Sequence, residues 1–306
     1  MIPGVIGDAM RTPRHVVRPA NEASYLVPGA FDGHSEGYRR WSIVDEEAGS
    51  HHMGFGVNEL NPGGSIDWHV HSYEESFYVL SGEVVCETHE GAFALREGDY
   101  GLVPVAGPHT WRNVGSEAAR WADMLAPQPH PQFGGDAVFV PGPSAVVEPE
   151  RVNVRDPRTR SFGHVDRGSL DKNQQTQDKL TESASMRTAL LVYSGINIKM
   201  MVDSDLGSHL QTMFMVGYDQ AGVAGPHDHP FEEAYFIIEG EVDIELDGEC
   251  FHLGEGDGAW AGSGCVHSFV NPVLPIRWLE TQAPQPPSRH AYRWIRDWTY
   301  IRNKVT

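Results

Sequence analysis

The sequence predicts an all-β chain made of two similar small barrels or sandwiches. Three observations predict it. A repeat of constant offset divides the chain into two halves. Short apolar and aromatic runs follow one another at close spacing. And 33 glycines with 21 prolines, scattered over 306 residues, supply the turns that many short strands need.

The repeat sets the architecture. Gly49-Ser50-His51 in the first half answers Gly207-Ser208-His209 in the second, 158 positions later. The same 158 separates His69 from His227, His71 from His229, Glu75 from Glu233, Gly82 from Gly240 and His109 from His267. After a one-residue deletion, Arg120-Trp121 answers Arg277-Trp278 at an offset of 157. That period is far too long for a solenoid, so it implies a duplicated domain, divided here as residues 1–145 and 146–306.

Within the first copy, Ser76–Leu80 is an aromatic-rich run that leads into a Gly-Glu pair, and Ala234–Ile238 matches it in the second. Val84–Thr88, Gly91–Leu95, Gly101–Val103 and Trp111–Val114 continue as further short strands. A barrel of this kind holds a ligand site in its mouth. Residues 127–150 are rich in proline and glycine, and 161–185 are polar; the latter is read as a connector, or as a lid over a pocket. Near the end, Ile295, Trp298 and Ile301 stand near helical spacing, which predicts a short C-terminal helix.

The chemistry-bearing pattern of the first copy is His69-x-His71-x3-Glu75, with His109 further on. Residues two apart on a strand share a face, so both histidines point into the barrel, and Glu75 returns on the neighbouring strand after a turn. The second copy repeats the set with His227, His229, Glu233 and His267. Three neutral imidazoles and a carboxylate suit a divalent transition metal: Mn, Fe, Co, Ni, Cu or Zn, up to one per barrel. An octahedral ion so held keeps two positions open, unlike a closed structural zinc site. His51, His52, His130 and His252 lack any such pattern and receive no role. Gly262 stands where the first copy has Pro104, a change expected to loosen that turn.

These two motifs resemble the signatures of the cupin superfamily over residues 40–128 and 198–286, with Ala106 where the second motif usually has glycine. The resemblance implies a bicupin: two double-stranded β-helix (jelly-roll) barrels, commonly holding Mn or Fe.

Residues in phase with the ligands are the expected pocket walls: Phe77 and Trp111 in the first copy, Tyr235 and Phe269 in the second. Barrel core is the competing reading for the same side chains. Met213 and Met215, aligned with Phe55 and Val57, are expected on the same walls, with Trp68 beside the ligands of the first copy. An apolar, partly aromatic pocket beside a metal suits a small chelating substrate, enolic, phenolic or keto. By analogy with bicupin quercetin and gentisate-type dioxygenases, the resemblance then implies a dioxygenase-like reaction. The alternatives are an oxygen-independent isomerase, hydrolase or decarboxylase, with Tyr235, Tyr78 or His209 as proton donors, and a non-catalytic metal- or ligand-binding module. Oxalate decarboxylase is a weaker match, because Arg112 alternates out of phase with His109 and faces away from the metal. Of the two sites, the first is expected to carry catalysis.

The charge balance excludes other classes of partner. With 23 basic against 42 acidic residues, the net charge of −19 repels nucleic acid and anionic lipid. No segment approaches the roughly 18 apolar residues of a membrane span, and no signal peptide is evident, so a cytoplasmic protein is expected. Monomer and homo-oligomer are both open to it.

Overall fold

A computed structural model describes residues 14–143, 147–153, 156–170, 188–191 and 195–286. The expected C-terminal helix, and residues 171–185 of the expected connector, lie outside them. The regular elements of the described chain are almost all strands, with a few short 3-10 turns, folded as two curled sheets.

The first sheet is organised by one long strand, Gly54–His71. Its first part, Gly54–Leu60, pairs with Ala119–Leu125, and its second, from Ser65, pairs with His109–Arg112. The switch falls at Asn61-Pro62-Gly63-Gly64, where Gly63 has φ of +75° and proline donates no ladder bond. One strand thus crosses from one face of the barrel to the other, and its far end delivers His69 and His71. A bend at Ser72-Tyr73 turns the chain into Glu74–Ser81, which carries Glu75 back beside them.

The second sheet repeats the plan with fewer, longer strands. Glu232–Leu246 and His267–Ala283 form its spine, and Ala224–His227 brings in the first ligand pair. The offsets of the repeat hold in three dimensions. Arg40 pairs with Asn58 as Ile198 pairs with Val216, and Gly56 pairs with Asp123 as Phe214 pairs with Glu280.

The sheets exchange short strands across the division of the repeat. His15–Arg18 joins the second sheet, pairing with Gly258–Ala261, whereas Phe162–His164 joins the first, pairing with Asp99–Gly101. Residues 161–170, expected as connector or lid, are therefore a strand and a 3-10 turn, with Phe162 packed on Phe77 and Phe93 at the barrel's end. Gly262 is not a loosened turn. Its N–H donates to Arg14 O at 2.7 Å, a bond proline could not make, and so fastens the incoming N-terminal strand.

Two apolar clusters fill the barrels, and a third joins them. Phe55, Val57, Met213 and Met215 belong to the joining cluster, so they face the other barrel and not a pocket. Tyr78 is there too, because it alternates with Glu75 and points the opposite way. Trp68 likewise leaves the ligand face and lies against Gly142 and His89. No helix among the described residues is long and apolar enough to cross a membrane.

Candidate metal centre

In the first barrel His69, His71, Glu75 and His109 converge, with one donor atom from each lying within 4.8 Å of all the others. All four are buried, and Glu75 Oε2 is 3.4 Å from Nε2 of both His71 and His109. The rings are fixed from behind. His69 Nδ1 bonds Asp67 O at 2.8 Å, His71 Nδ1 bonds Tyr73 O at 2.6 Å and His109 Nδ1 bonds Gly107 O at 3.0 Å. A carbonyl only accepts, so each Nδ1 carries the proton and each Nε2 presents a lone pair inward. Nε2 of His71 and of His109 is buried without a hydrogen-bond partner. Buried polar atoms are rarely left so, and inward lone pairs beside a carboxylate are the donor set a divalent cation completes. The residues therefore fit a metal.

The electrostatics agree. Burial, with the nearby His109, holds His69 neutral down to about 3. Burial alone would raise the Glu75 carboxyl, but the imidazoles of His109 and His71, 3.4 Å from Oε2, outweigh it and hold the carboxyl well below the usual carboxylate range. A neutral imidazole and an anionic carboxylate are the metal-binding forms.

The second barrel brings His227, His229 and His267 together in the same way, each Nδ1 on a backbone carbonyl at 2.8–3.0 Å. Glu233 Oε2 lies 3.0 Å from His229 Nε2 and 3.1 Å from His267 Nε2. It is not free to move, however. Tyr235 donates its hydroxyl to Oε2 and Gln282 donates to Oε1, both at 2.5 Å. The first barrel has Phe77 and Leu125 in those places, so Glu75 lacks both tethers. Burial, then repulsion from Glu233, pushes the Glu280 carboxyl well above the usual range.

The two surroundings differ further. A cavity of about 890 Å³ opens beside the first cluster. Its inner wall carries His69, Glu75, Trp111 and Trp121, and its mouth lies at Leu26 and Val27, which are 68% and 48% exposed. Phe31 meets the His69 ring edge-on at 5.3 Å. Of the expected wall residues, Trp111 lines this cavity. Phe77 packs behind it, edge-on to Trp111 at 4.9 Å, as barrel core. In the second barrel Phe269 stacks on Trp278 at 4.8 Å, and Tyr235 is spent on Glu233. His209 is exposed, and its backbone N–H bonds Glu74.

Tyr38, Arg40, Asn58 and Asp123 are among the wall residues that escape a reading of the ligand motifs. Arg112 does face away, bonded to Glu87, but Arg40 enters from the preceding strand Ser35–Val44. Its Nε and Nη2 hold Asp123 at 2.7–3.1 Å. The alternation Tyr38-x-Arg40-x-Ser42 is the only sequence signal that could have placed it inward.

Comparisons with known proteins bear on both barrels. A family model described as a cupin domain matches residues 56–125 and 214–281. The polyketide synthase CurC of Streptomyces cyaneus is 36% identical over 81 residues, 26% of this chain; the chain spans about half of that relative, 53% of its length. Among solved structures, the salicylate 1,2-dioxygenase of Pseudaminobacter salicylatoxidans superposes with a TM-score of 0.67 at 16% identity, over 91% of this chain and 87% of its own. A structure of that dioxygenase with gentisate gives 0.65 at 16%, over 89% and 81%. Protein Ylba of E. coli gives 0.60 at 12%, over 91% and 94%. At such identities the likeness is one of fold.

Proposed function

Because this chain is a bicupin, a member of the cupin superfamily with a cupin domain in each half, we propose that it is a metal-dependent enzyme whose chemistry sits in the first barrel. The reaction is a dioxygenase-like oxidation of a small chelating substrate, enolic, phenolic or keto. The observation that carries this reading is the meeting of the ligand cluster with the cavity of about 890 Å³. A volume near the upper end of ordinary ligand pockets, roughly 300–1,000 Å³, leaves room for a whole small molecule.

A metal held by His69, His71, Glu75 and His109 supplies Lewis acidity and, for a redox-active ion, electron exchange between a chelated substrate and dioxygen. The chain's own residues do the rest. The three backbone carbonyls lock the imidazole tautomers. The anionic Glu75 offsets one unit of the cation's charge, leaving +1 to draw an oxyanion. Phe31, Trp111 and Trp121 form flat walls that position a planar ring and exclude water from it. The structural neighbour solved with gentisate, a ring hydroxy acid, supports a ligand of this shape. In the second barrel, the tethered Glu233 supports a holding role for that site.

A second reading, oxygen-independent isomerisation, hydrolysis or decarboxylation, is favoured by Glu280, whose carboxyl is pushed well above the usual range by burial and by Glu233. One experiment separates the two. Metal-loaded protein is offered catechols, diketones and hydroxy acids with and without oxygen. Turnover with stoichiometric oxygen uptake, lost in His71→Ala, is the expected result. Turnover that persists without oxygen rejects the dioxygenase reading.

A further inference from the structure

We propose that Arg40 and Asn58 form a second recognition point in the first barrel, one that takes an oxygen acceptor of the substrate, a carboxylate or a carbonyl, away from its chelating atoms. This rests on the reading of that cavity as the substrate site, and it begins from the asymmetry of the repeat. The shared register places Ile198 at the position of Arg40, Val216 at that of Asn58 and Phe214 at that of Gly56. The second barrel fills these positions with apolar side chains, and Phe214 and Val216 are buried in its core. The first leaves them polar or empty, and both Arg40 and Asn58 stand on the wall of the cavity.

Gly56 makes the room. A Cβ there would meet the Arg40 guanidinium at 2.6 Å and the Trp41 carbonyl at 2.5 Å, so the guanidinium lies flat where a side chain would otherwise stand. A buried guanidinium is costly unless paired, and Asp123 pairs it through Nε and Nη2. Nη1 makes no hydrogen bond among the described residues. Tyr38 donates its hydroxyl to Asn58 Oδ1 at 2.7 Å, which fixes the amide with Nδ2 as the donor end; one Nδ2 hydrogen serves the Asp123 carboxylate, and the other has a 3.5 Å contact with Trp121 O. The spare capacity at this wall is therefore donor only: Nη1, and the Nδ2 hydrogen held by no more than the 3.5 Å contact. Donors of that kind select an oxygen acceptor, and a planar guanidinium suits an sp² oxygen best.

The test is calorimetric and made without oxygen, on metal-loaded full-length protein. The probes are catechol, 2,3-dihydroxybenzoate and 2,3-dihydroxyacetophenone: the same chelating pair with no acceptor, a carboxylate and a carbonyl. In the wild type, one or both acceptor-bearing rings bind about tenfold tighter than catechol, the ratio expected of one added charge-assisted hydrogen bond. Arg40→Ile with Asp123→Asn, which removes both buried charges together, brings that ratio to about 1. Asn58→Val, the residue of the second barrel, lowers it on its own. Metal content is measured on every variant. Equal affinity for all three rings in the wild type, or a ratio that survives both variants, overturns the assignment and leaves chelation standing. Failure of all three rings to bind a metal-filled protein overturns the substrate reading with it. Which of the two acceptors gains affinity tells carboxylate from carbonyl.

Discussion

His69 and His227 are bases that folding makes weaker. Burial holds both neutral to about 3, against 6.5 for the free side chain. Between those values the unfolded chain binds protons that the folded chain refuses, so the contribution of these two histidines to metal-free stability is full above pH 6.5 and is lost as pH falls. Glu75, held ionised by His109 and His71, adds a loss of the same sign below 4.5. Within the window each histidine removes roughly 1.4 kcal/mol per pH unit. Urea midpoints of metal-free protein should fall steadily from pH 7 to 4.5; a flat profile would refute the buried, neutral state. Removing one ligand tests the centres directly. His71→Ala empties the first barrel and His229→Ala the second, each read by metal content per chain, and unchanged metal in both would sink the ligand assignment. The approach of His69, His71, Glu75 and His109, and of His227, His229 and His267, was legible in the sequence because strands alternate with period two and the pattern occurs twice. Arg40 was not, because its partner Asp123 is 83 positions away and its counterpart in the repeat is Ile198.

Strands bounded by glycine turns were equally legible, and the structure shows why those glycines are needed. Gly82, at the bend after Glu74–Ser81, and Gly240, at the corresponding irregularity inside Glu232–Leu246, have φ of +74° and +82°. A Cβ at Gly240 would lie 2.2 Å from Pro275 O, and one at Gly82 2.7 Å from Ala118 O. Left-handed backbone and a backbone clash act together, so Gly240→Ala should cost about 2 kcal/mol or more, with Gly82→Ala a little less. Chemical denaturation would show it, and a variant as stable as the parent would mean the turn relaxes freely. The exchanged strands were not legible. His15–Arg18 and Phe162–His164 have four and three residues, too few for alternation to stand out. Their partners lie far along the chain, and only the folded barrels bring those edges near. The N-terminal segment illustrates the consequence. Anchored on the second sheet, it continues through Leu26 and Phe31 to form the roof of the first barrel's cavity.

The whole molecule is held by a contact that the repeat contains twice. Glu74 accepts from Ser208 Oγ, His209 N and Leu210 N at 2.7–3.0 Å, reaching from the first barrel into the second. Glu232, 158 positions on, accepts from Ser50 Oγ, His51 N and His52 N at 2.5–3.3 Å in the opposite direction. The Gly-Ser-His triplets of the sequence are therefore docking loops, and the barrels meet as two copies meet across a twofold axis. Both glutamates are buried, at 2% and 3% exposure, so the carboxylates are solvated mainly by the partner barrel's donors, with the Trp260 indole N–H of its own barrel reaching Glu232 at 3.3 Å. Each also precedes a candidate metal ligand, Glu75 or Glu233, and period two turns the pair to opposite faces. One side chain enters the interface and the next enters the site, so docking and ligand position share a peptide bond. Truncating either carboxylate strands two backbone donors and a hydroxyl in a dry interface. Glu74→Ala and Glu232→Ala should each cost about 3 kcal/mol. Because the contacts are reciprocal, the two losses should be similar. Urea unfolding of metal-free protein would measure both. A loss under about 0.5 kcal/mol in either variant, the level of an ordinary surface change, would show that the barrels are joined by their apolar cluster alone.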